Sequence, residues 1–109
     1  MQYARSMVHN GSMLGLWIVR DAAAQPLLAK VEDELYVLAF TSAPKAIKAR
    51  TAFSAEGLPF LIVGPNLRNV VDGARAAGAI GFIVDYDTEQ ALFASAHPLP
   101  VDMPLAAAR

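Results

Sequence analysis

Polar side chains follow three apolar segments of this 109-residue chain, at the points where predicted strands end. Thr41 and Ser42 follow the first of these segments, Asn66 follows the second and Asp85 follows the third. Ligands of open α/β sheets favour the carboxyl ends of parallel strands. If the three strands are neighbours, their loops converge, and these four residues are the candidate ligand-binding residues.

Two of these residues stand at the predicted starts of helices. Free N–H groups at a helix N-terminus favour anions, so Ser42 and Asn66 could border a pocket for a phosphate or a carboxylate. The alternative is that both side chains are ordinary helix caps, a role that Ser and Asn commonly take. The chain contains no glycine-rich phosphate-binding motif, which favours the capping interpretation.

Three carboxylates alternate after the last apolar segment. Asp85, Asp87 and Glu89 carry oxygen ligands of the kind that bind Mg²⁺ or Ca²⁺. A calcium loop requires further oxygen ligands and a glycine at set positions, which this segment lacks. Asp87 is better explained as the cap of a short helix, with Gln90 completing a capping box and Glu89 favourably placed against the helix dipole. We therefore expect no metal and no cofactor.

The sequence offers no arrangement of side chains that is typical of catalysis. His9 lies near the start of the chain and His97 directly precedes a proline, and neither has the context of a catalytic triad. The chain has no cysteine, so thiol catalysis, disulfides and cysteine-based zinc sites are excluded. We expect a protein that is not an enzyme.

Composition favours a protein partner over a nucleic acid or a membrane. The formal net charge is −1 and no long basic run occurs, so the electrostatic footprint of a nucleic-acid binder is missing. No apolar run reaches the roughly 18 residues of a membrane-spanning helix. Hydrophobic residues make up 55% of the chain and charged residues only 17%, which predicts an exposed apolar patch for a partner or a second copy. The lack of cysteine fits a cytoplasmic location.

Aromatic residues on predicted strands are the candidates for such an interface. A large aromatic side chain on an edge strand can anchor a partner. Trp17 lies on the first strand, which we expect to be an edge strand, and Tyr36 lies on the third. Packing in the core is the alternative for both. Lys45, Lys48 and Arg50 make the first helix basic, so an acidic peptide could dock there, unless this is simply a solvated helix face.

Hydrophobic periodicity predicts five strands. They are predicted at residues 14–19, 27–31, 35–40, 60–63 and 80–84. The continuous apolar run of the fourth is typical of a strand buried on both faces. The short acidic link at 32–34 predicts an antiparallel hairpin between the second and third strands.

Two helices and a third, shorter one are predicted between and after these strands. The first covers residues 43–53, and the second runs from a cap at Asn66 to Gly78. The third runs from Asp87 to about Ala96. The order predicts an α/β fold at the boundary with α+β: a β-meander or hairpin followed by β-α units, in a mixed sheet of about five strands.

The length of the chain suits a single domain with one core. We assign residues 13–97 to this domain. Residues 1–12 are interpreted as a poorly structured leader or a non-native addition, and residues 98–109 as an extended tail.

The segment Tyr36-Val-Leu-Ala-Phe-Thr-Ser42, followed by a short alanine-rich helix, resembles the bacterial SseB N-terminal domain family. In that family a small hairpin leads into this strand, and a helix, a hydrophobic strand, a second helix and a further strand follow. The resemblance covers about residues 17–93. The chain departs from the family pattern after the last strand, where Asp85-Tyr86-Asp87 replaces an asparagine–proline–glycine-like turn. The resemblance implies a compact α/β interaction domain without catalytic residues.

Two functional hypotheses follow. The first is a non-enzymatic protein-interaction module that binds another chain or itself. The alternative is a regulatory domain that binds a small ligand or an anion in the loops at the strand ends.

Overall fold

A computed structural model describes residues 12–23 and 25–99 of the chain. Within these residues, six strands form one mixed sheet and two helices pack on it. The strands are β1 (Trp17–Arg20), β2 (Leu28–Val31), β3 (Glu34–Phe40), β4 (Leu58–Leu61), β5 (Ala79–Val84) and β6 (Ser95–Pro98). The helices are α1 (Ala43–Ala52) and α2 (Gly64–Ala76). The predicted fold class, a hairpin followed by β-α units in a mixed sheet, is confirmed, with six strands and two helices.

The sheet is built around β3. Its strand order is β4-β1-β3-β5-β6, and β2 pairs with the first half of β3. β3 and β5 run parallel, whereas the other pairs are antiparallel. β4 is antiparallel to β1, and β1 is antiparallel to β3, so β4 points the same way as β3 and β5. The carboxyl ends of these three strands therefore lie at one edge of the sheet.

The predicted hairpin joins β2 to β3 through Glu32 and Asp33. Both residues have positive φ angles, of 53° and 72°. A two-residue loop with positive φ at both positions matches the twist of the flanking strands and normally contains Asn and Gly. Here two acidic residues hold this conformation, which costs backbone energy that Asn and Gly would not incur.

One helix packs on each face of the sheet. Successive side chains along a strand point to opposite faces, so both faces contribute apolar residues to a core cluster. α1 lies on the face of Leu38 and Phe40, where its Ala46 and Ala49 are buried. α2 lies on the opposite face, and its buried residues pack against the neighbouring side chains of the same strands. That cluster includes Ile18, Val37, Ala39, Val70, Val71, Ala74, Phe82 and Val84.

Both long helices form where the sequence predicts them. The Ser42 hydroxyl caps α1 by accepting the N–H of Lys45 at 3.4 Å. The second helix begins at Gly64, before the predicted cap Asn66, because Pro65 is tolerated in a first helical turn. Gly78 follows α2 with a φ of 97°, the left-handed conformation that glycine adopts easily after a helix.

Two strands occupy positions in the sheet that differ from those the sequence predicts. The strand predicted at 60–63 as buried on both faces is β4, an edge strand shifted to Leu58–Leu61, with Leu58 69% exposed. The expectation of an edge position for the first strand is also wrong, because β1 pairs with β3 on one side and β4 on the other. Strand order depends on tertiary pairing, which local hydrophobicity does not determine.

The predicted third helix, from Asp87 to about Ala96, is not formed. Asp87 does cap a turn, since its Oδ1 accepts the N–H groups of Glu89 and Gln90 at 2.8 and 3.3 Å. The turn closes when Ala91 adopts a φ of 57°, which a continuing right-handed helix cannot contain. The chain then returns as β6 and pairs antiparallel with β5.

The described residues extend past the predicted end of the domain at His97. Pro98 belongs to β6, and Leu99 is buried, with its N–H donating to the carbonyl of Ile80 at 3.2 Å. The rest of the predicted tail, and all of the predicted leader except Ser12, lie outside the described residues. In the part of the chain that the structure describes, neither helix is long and apolar enough to cross a membrane.

Candidate functional site

A crevice lies where the two central parallel strands end. β3 continues through α1 towards β4 at one edge of the sheet, whereas β5 continues towards β6 at the other edge. The chain thus leaves adjacent strands in opposite directions, the arrangement at which open α/β sheets commonly bind ligands. The crevice has a volume of about 230 Å³.

Asp85 ties the two strand ends together beside this crevice. Its Oδ1 accepts the backbone N–H of Thr41, and its Oδ2 accepts the Thr41 hydroxyl, each at 2.8 Å. The Nζ of Lys45 donates to the same Oδ2 at 3.1 Å and to Thr41 Oγ1 at 3.3 Å. Asp85 holds this position with a φ of 56°, a left-handed conformation that Asp tolerates better than most residues.

The lining of the crevice combines an apolar floor with a charged rim. The buried side chains of Phe40 and Ala49 lie at its base, and Tyr86 forms part of its wall. The remaining lining residues are polar or charged. They are Lys45, Lys48, Asp85, Asp87 and Thr88.

The structure brings together three of the four predicted ligand-binding residues. Thr41 and Asp85 are in direct contact, and Ser42 is the adjacent helix cap. Asn66 lies elsewhere, because β1 separates β4 from β3. Its side chain is used within its own helix turn, with Oδ1 accepting the Val63 N–H at 3.0 Å and Nδ2 donating to the Leu61 carbonyl at 3.3 Å.

The alternating carboxylates are not arranged as a metal site. Asp85 faces Thr41 and Lys45, and Asp87 caps its own turn. Among residues 12–23 and 25–99, no group of three or more His, Cys, Asp or Glu side chains lies close enough to hold a metal ion.

A second feature lies on the face that carries α1. This ten-residue helix contacts β1, β4 and β3, and Ile83 of β5 is buried in the same cluster. Within the described residues, no helix covers the part of this face formed by β2, β6 and the first halves of β3 and β5. The side chains there are mainly apolar and partly or largely exposed. We call this surface the open face, and its residues are Ala29, Val31, Tyr36, Ile80, Ala96 and Pro98.

The centre of the open face is a shallow depression of about 260 Å³. Tyr36, Ile80, Ala96, His97 and Pro98 line it, and Ile80 is 49% exposed. Gly81 lies directly below the Tyr36 ring, since a Cβ at this glycine would stand 3.2 Å from the ring carbon Cδ2. The missing side chain lets the Tyr36 ring lie on the sheet.

Proline lies at the outer edges of β4 and β6, whereas β2, which pairs with β3 alone among the described strands, has no proline within Leu28–Val31. The Ile62 N–H donates to the Leu16 carbonyl at 2.9 Å. Backbone N–H groups alternate in direction along a strand, so the nitrogen of Pro59, three residues earlier, points away from β1. It lies at the free edge of β4. The Leu99 N–H likewise points towards β5, so the backbone nitrogen of Pro98, one residue earlier, points away from β5. Proline has no N–H to offer an incoming strand, so these edges are poor templates for strand addition.

The two predicted interface residues have different positions. Trp17 is half-buried on an interior strand and packs against the cluster beneath α1. Tyr36 belongs to the open face. The sequence does not single out Ile80, Ala96 or Pro98, since Ile80 falls on the predicted fifth strand and the other two follow it in segments predicted as helix and tail. The short length of α1 is the sequence signal that could have indicated an uncovered face.

Comparisons with known proteins identify no family. A scan against protein-family models, a search of curated proteins and a search of solved structures each gave no match. The resemblance to the SseB N-terminal domain family therefore stays a prediction based on residues 36–42 and the order of elements around them.

Proposed function

We propose that this chain is a non-enzymatic protein-interaction module that binds a second copy of itself through the open face. The observation that carries the proposal is the incomplete cover of one sheet face. Within residues 12–23 and 25–99, α1 packs over β1, β4 and the second half of β3, and no helix lies over the exposed apolar side chains of β2, β6 and the first halves of β3 and β5. Contiguous exposed apolar surface rimmed by polar groups is typical of interaction sites.

The shape of this surface favours another sheet as the partner. Two sheets pack face to face at about 10 Å when both inner faces are flat and apolar. The sheet itself forms the open face. The prolines at the edges of β4 and β6 disfavour strand addition at those two edges.

The charges around the open face favour a second copy in particular. Glu34 lies on the same side of β3 as Tyr36, and with Glu32 and Asp33 it makes one end of the face acidic. At the other end, Lys45 is paired with Asp85, which leaves Lys48 on α1 as the basic residue without an ion pair in the described part of the chain. Within the described residues, the three acidic residues and Lys48 form no ion pair.

A surface with one acidic and one basic end is complementary to itself. When two copies pack with their strands antiparallel, the acidic turn of each lies near the first half of α1 of the other, and two-fold symmetry forms this contact twice. Opposite charges at the rim set the orientation of the pair, while the apolar centre supplies most of its stability.

We also propose a cytoplasmic location, since a chain without cysteine has no need of an oxidising compartment.

Site-specific photo-crosslinking of the full chain tests this function. A photoreactive phenylalanine analogue replaces Ile80 on the open face or, as the matched control, Leu92, which is 60% exposed outside it. We expect irradiation to join two copies when the analogue is at position 80 and not when it is at position 92.

Two results would count against the proposal in different ways. Equal crosslinking from both positions, or none from either, would remove the open face as an interface. A product that joins position 80 to a different protein in the cells that make the chain would exclude the second copy as the partner.

A further inference from the structure

We infer that the crevice between β3 and β5 binds a small carboxylate with a compact apolar or aromatic body. This inference goes beyond the interaction module, and because the proposed pairing also brings an acidic turn near Lys48, the ligand and a second copy would compete for that lysine. The proposed ligand would place its body on Phe40, Ala49 and Tyr86 and its carboxylate at Lys48.

Two lysines and two aspartates line the crevice, and among the residues that the structure describes Lys48 is the lysine that forms no ion pair there. The Asp85 carboxylate already accepts the two donors of Thr41 and the ammonium of Lys45. Lys48 lines the same crevice and has no ion pair within the described residues. An anion that reaches Lys48 therefore replaces water and not an existing protein partner.

The remaining polar groups of the rim also favour an acceptor-rich ligand. Lys45 makes two hydrogen bonds and keeps a third ammonium N–H for a ligand. The Thr88 hydroxyl lines the crevice and makes no hydrogen bond within the described residues. Asp87 is the opposing charge, and its Oδ1 is partly neutralised by the two N–H groups that it accepts.

The floor of the crevice distinguishes this ligand from a bare inorganic anion. Phe40 is 1% exposed and Ala49 is 3% exposed, so the base offers carbon and no donor. A volume of about 230 Å³ equals that of about seven or eight water molecules in the liquid, at ~30 Å³ each. This space suits a single aromatic ring or a short branched chain, whose burial adds to the charge interaction.

Titration with benzoate followed by amide NMR tests the inference. The matched probes are benzamide, which keeps the ring and loses the charge, and acetate and inorganic phosphate, which keep a charge and lose the ring. We expect saturable shifts around Ala49 and Tyr86 with benzoate, at a dissociation constant of about 1 mM. We expect binding at least about fivefold weaker for each of the other three probes.

Two lysine variants identify the cation. Lys48→Met removes the ammonium from the crevice, and Lys30→Met makes the same change on exposed β2, away from it. We expect Lys48→Met to weaken benzoate binding about fivefold to tenfold and Lys30→Met to leave it unchanged. Three results would each overturn the inference. They are equal affinity for benzamide and benzoate, tighter binding of phosphate than of benzoate, and an unchanged affinity of Lys48→Met for benzoate.

The same titration on Ile80→Asp separates this inference from the interaction module. Ile80 lies on the open face and does not line the crevice, so this variant loses the proposed pairing and keeps the ligand site. We expect Ile80→Asp to bind benzoate at least as well as the unaltered chain. Absence of saturable binding in both proteins would overturn the inference whether or not the chain forms pairs.

Discussion

The carboxylate of Asp85 joins the ends of the two central parallel strands by accepting both the N–H and the hydroxyl of Thr41, each at 2.8 Å. The two residues are 44 positions apart in the sequence. The side chain of Asp85 is 19% exposed, whereas Thr41 is exposed, so these hydrogen bonds link the two strands at the surface of the domain. They hold the crevice open at the point where α1 departs from the sheet.

Removal of the Asp85 carboxylate should therefore destabilise the whole domain. We expect Asp85→Ala to lower the free energy of unfolding by about 2–3 kcal/mol, because it removes charge-assisted hydrogen bonds and places alanine at positive φ. Asp85→Asn should lose less, about 1 kcal/mol, since Asn accepts the Thr41 N–H and tolerates this φ. Urea unfolding measures both values.

An exposed aspartate provides the control for this prediction. Asp72 lies 4.0 Å from Arg68 in a solvent-exposed ion pair on α2. Asp72→Ala should change stability by less than about 0.5 kcal/mol. Equal losses at Asp85 and Asp72 would show that Asp85 does not tie the strands together.

Substitutions in the β2–β3 turn should stabilise the domain. Glu32 and Asp33 both have positive φ, which Asn-Gly adopts with less strain. We expect Glu32→Asn with Asp33→Gly to stabilise the domain by about 1 kcal/mol, or about 4–8 °C in Tm. A scanning calorimeter measures the shift, and a lower Tm would mean that the acidic side chains stabilise the hairpin in some other way.

Gly81 should be intolerant of even one added carbon. Its Cβ would collide with the carbonyl oxygen of His97 and crowd the Tyr36 ring, so β6 would have to move away from β5. We expect Gly81→Ala to cost at least about 2 kcal/mol. Gly64→Ala is the matched control, because nothing lies within 4 Å of a Cβ at Gly64, and it should be close to neutral. Similar losses in the two variants would exclude a steric role for Gly81.

Leu99 should contribute to the core although it follows the predicted domain. It is 5% exposed and packs with the cluster beneath α2. We expect Leu99→Ala to cost about 2–3 kcal/mol through lost burial and a residual cavity. Leu92→Ala, at a position that is 60% exposed, should cost less than about 1 kcal/mol. If chemical denaturation finds no difference between them, Leu99 does not belong to the core.

Local signals in the sequence predict the elements well. The acidic link at residues 32–34 predicts the hairpin, Ser42 and Gly78 mark a helix start and a helix end, and the apolar spacing in α2 predicts its buried side. These features depend on contacts within a few residues. The sequence predicts convergence of the strand-end loops only on the condition that the strands are neighbours, which holds for the loops at Thr41 and Asp85 and not for the one at Asn66.

Features that depend on strand order could not be predicted in this way. Asn66 follows a strand of the expected direction, but β1 lies between that strand and β3. The segment Ser95–Pro98 has too little local preference to identify a strand, and pairing with β5 decides its conformation. The open face depends on how much of the sheet α1 covers, which no single segment specifies.

The position of Trp17 in the sheet determines what a substitution there would measure. A Trp17→Asp substitution would test an interface if the residue were at an edge, but β1 is paired on both sides and Trp17 packs beneath α1. Its loss would report on folding. Ile80, half-exposed on the open face, is the appropriate position for an interface variant.

Sedimentation analysis over a range of concentrations tests the central claim most directly, with the unaltered chain compared with Ile80→Asp and Leu92→Asp. We predict that the unaltered chain and Leu92→Asp pass from one copy to two as concentration rises. Ile80→Asp should stay folded and need at least about tenfold higher concentration to pair. A single copy at every concentration, or equal pairing by all three proteins, would contradict association through the open face.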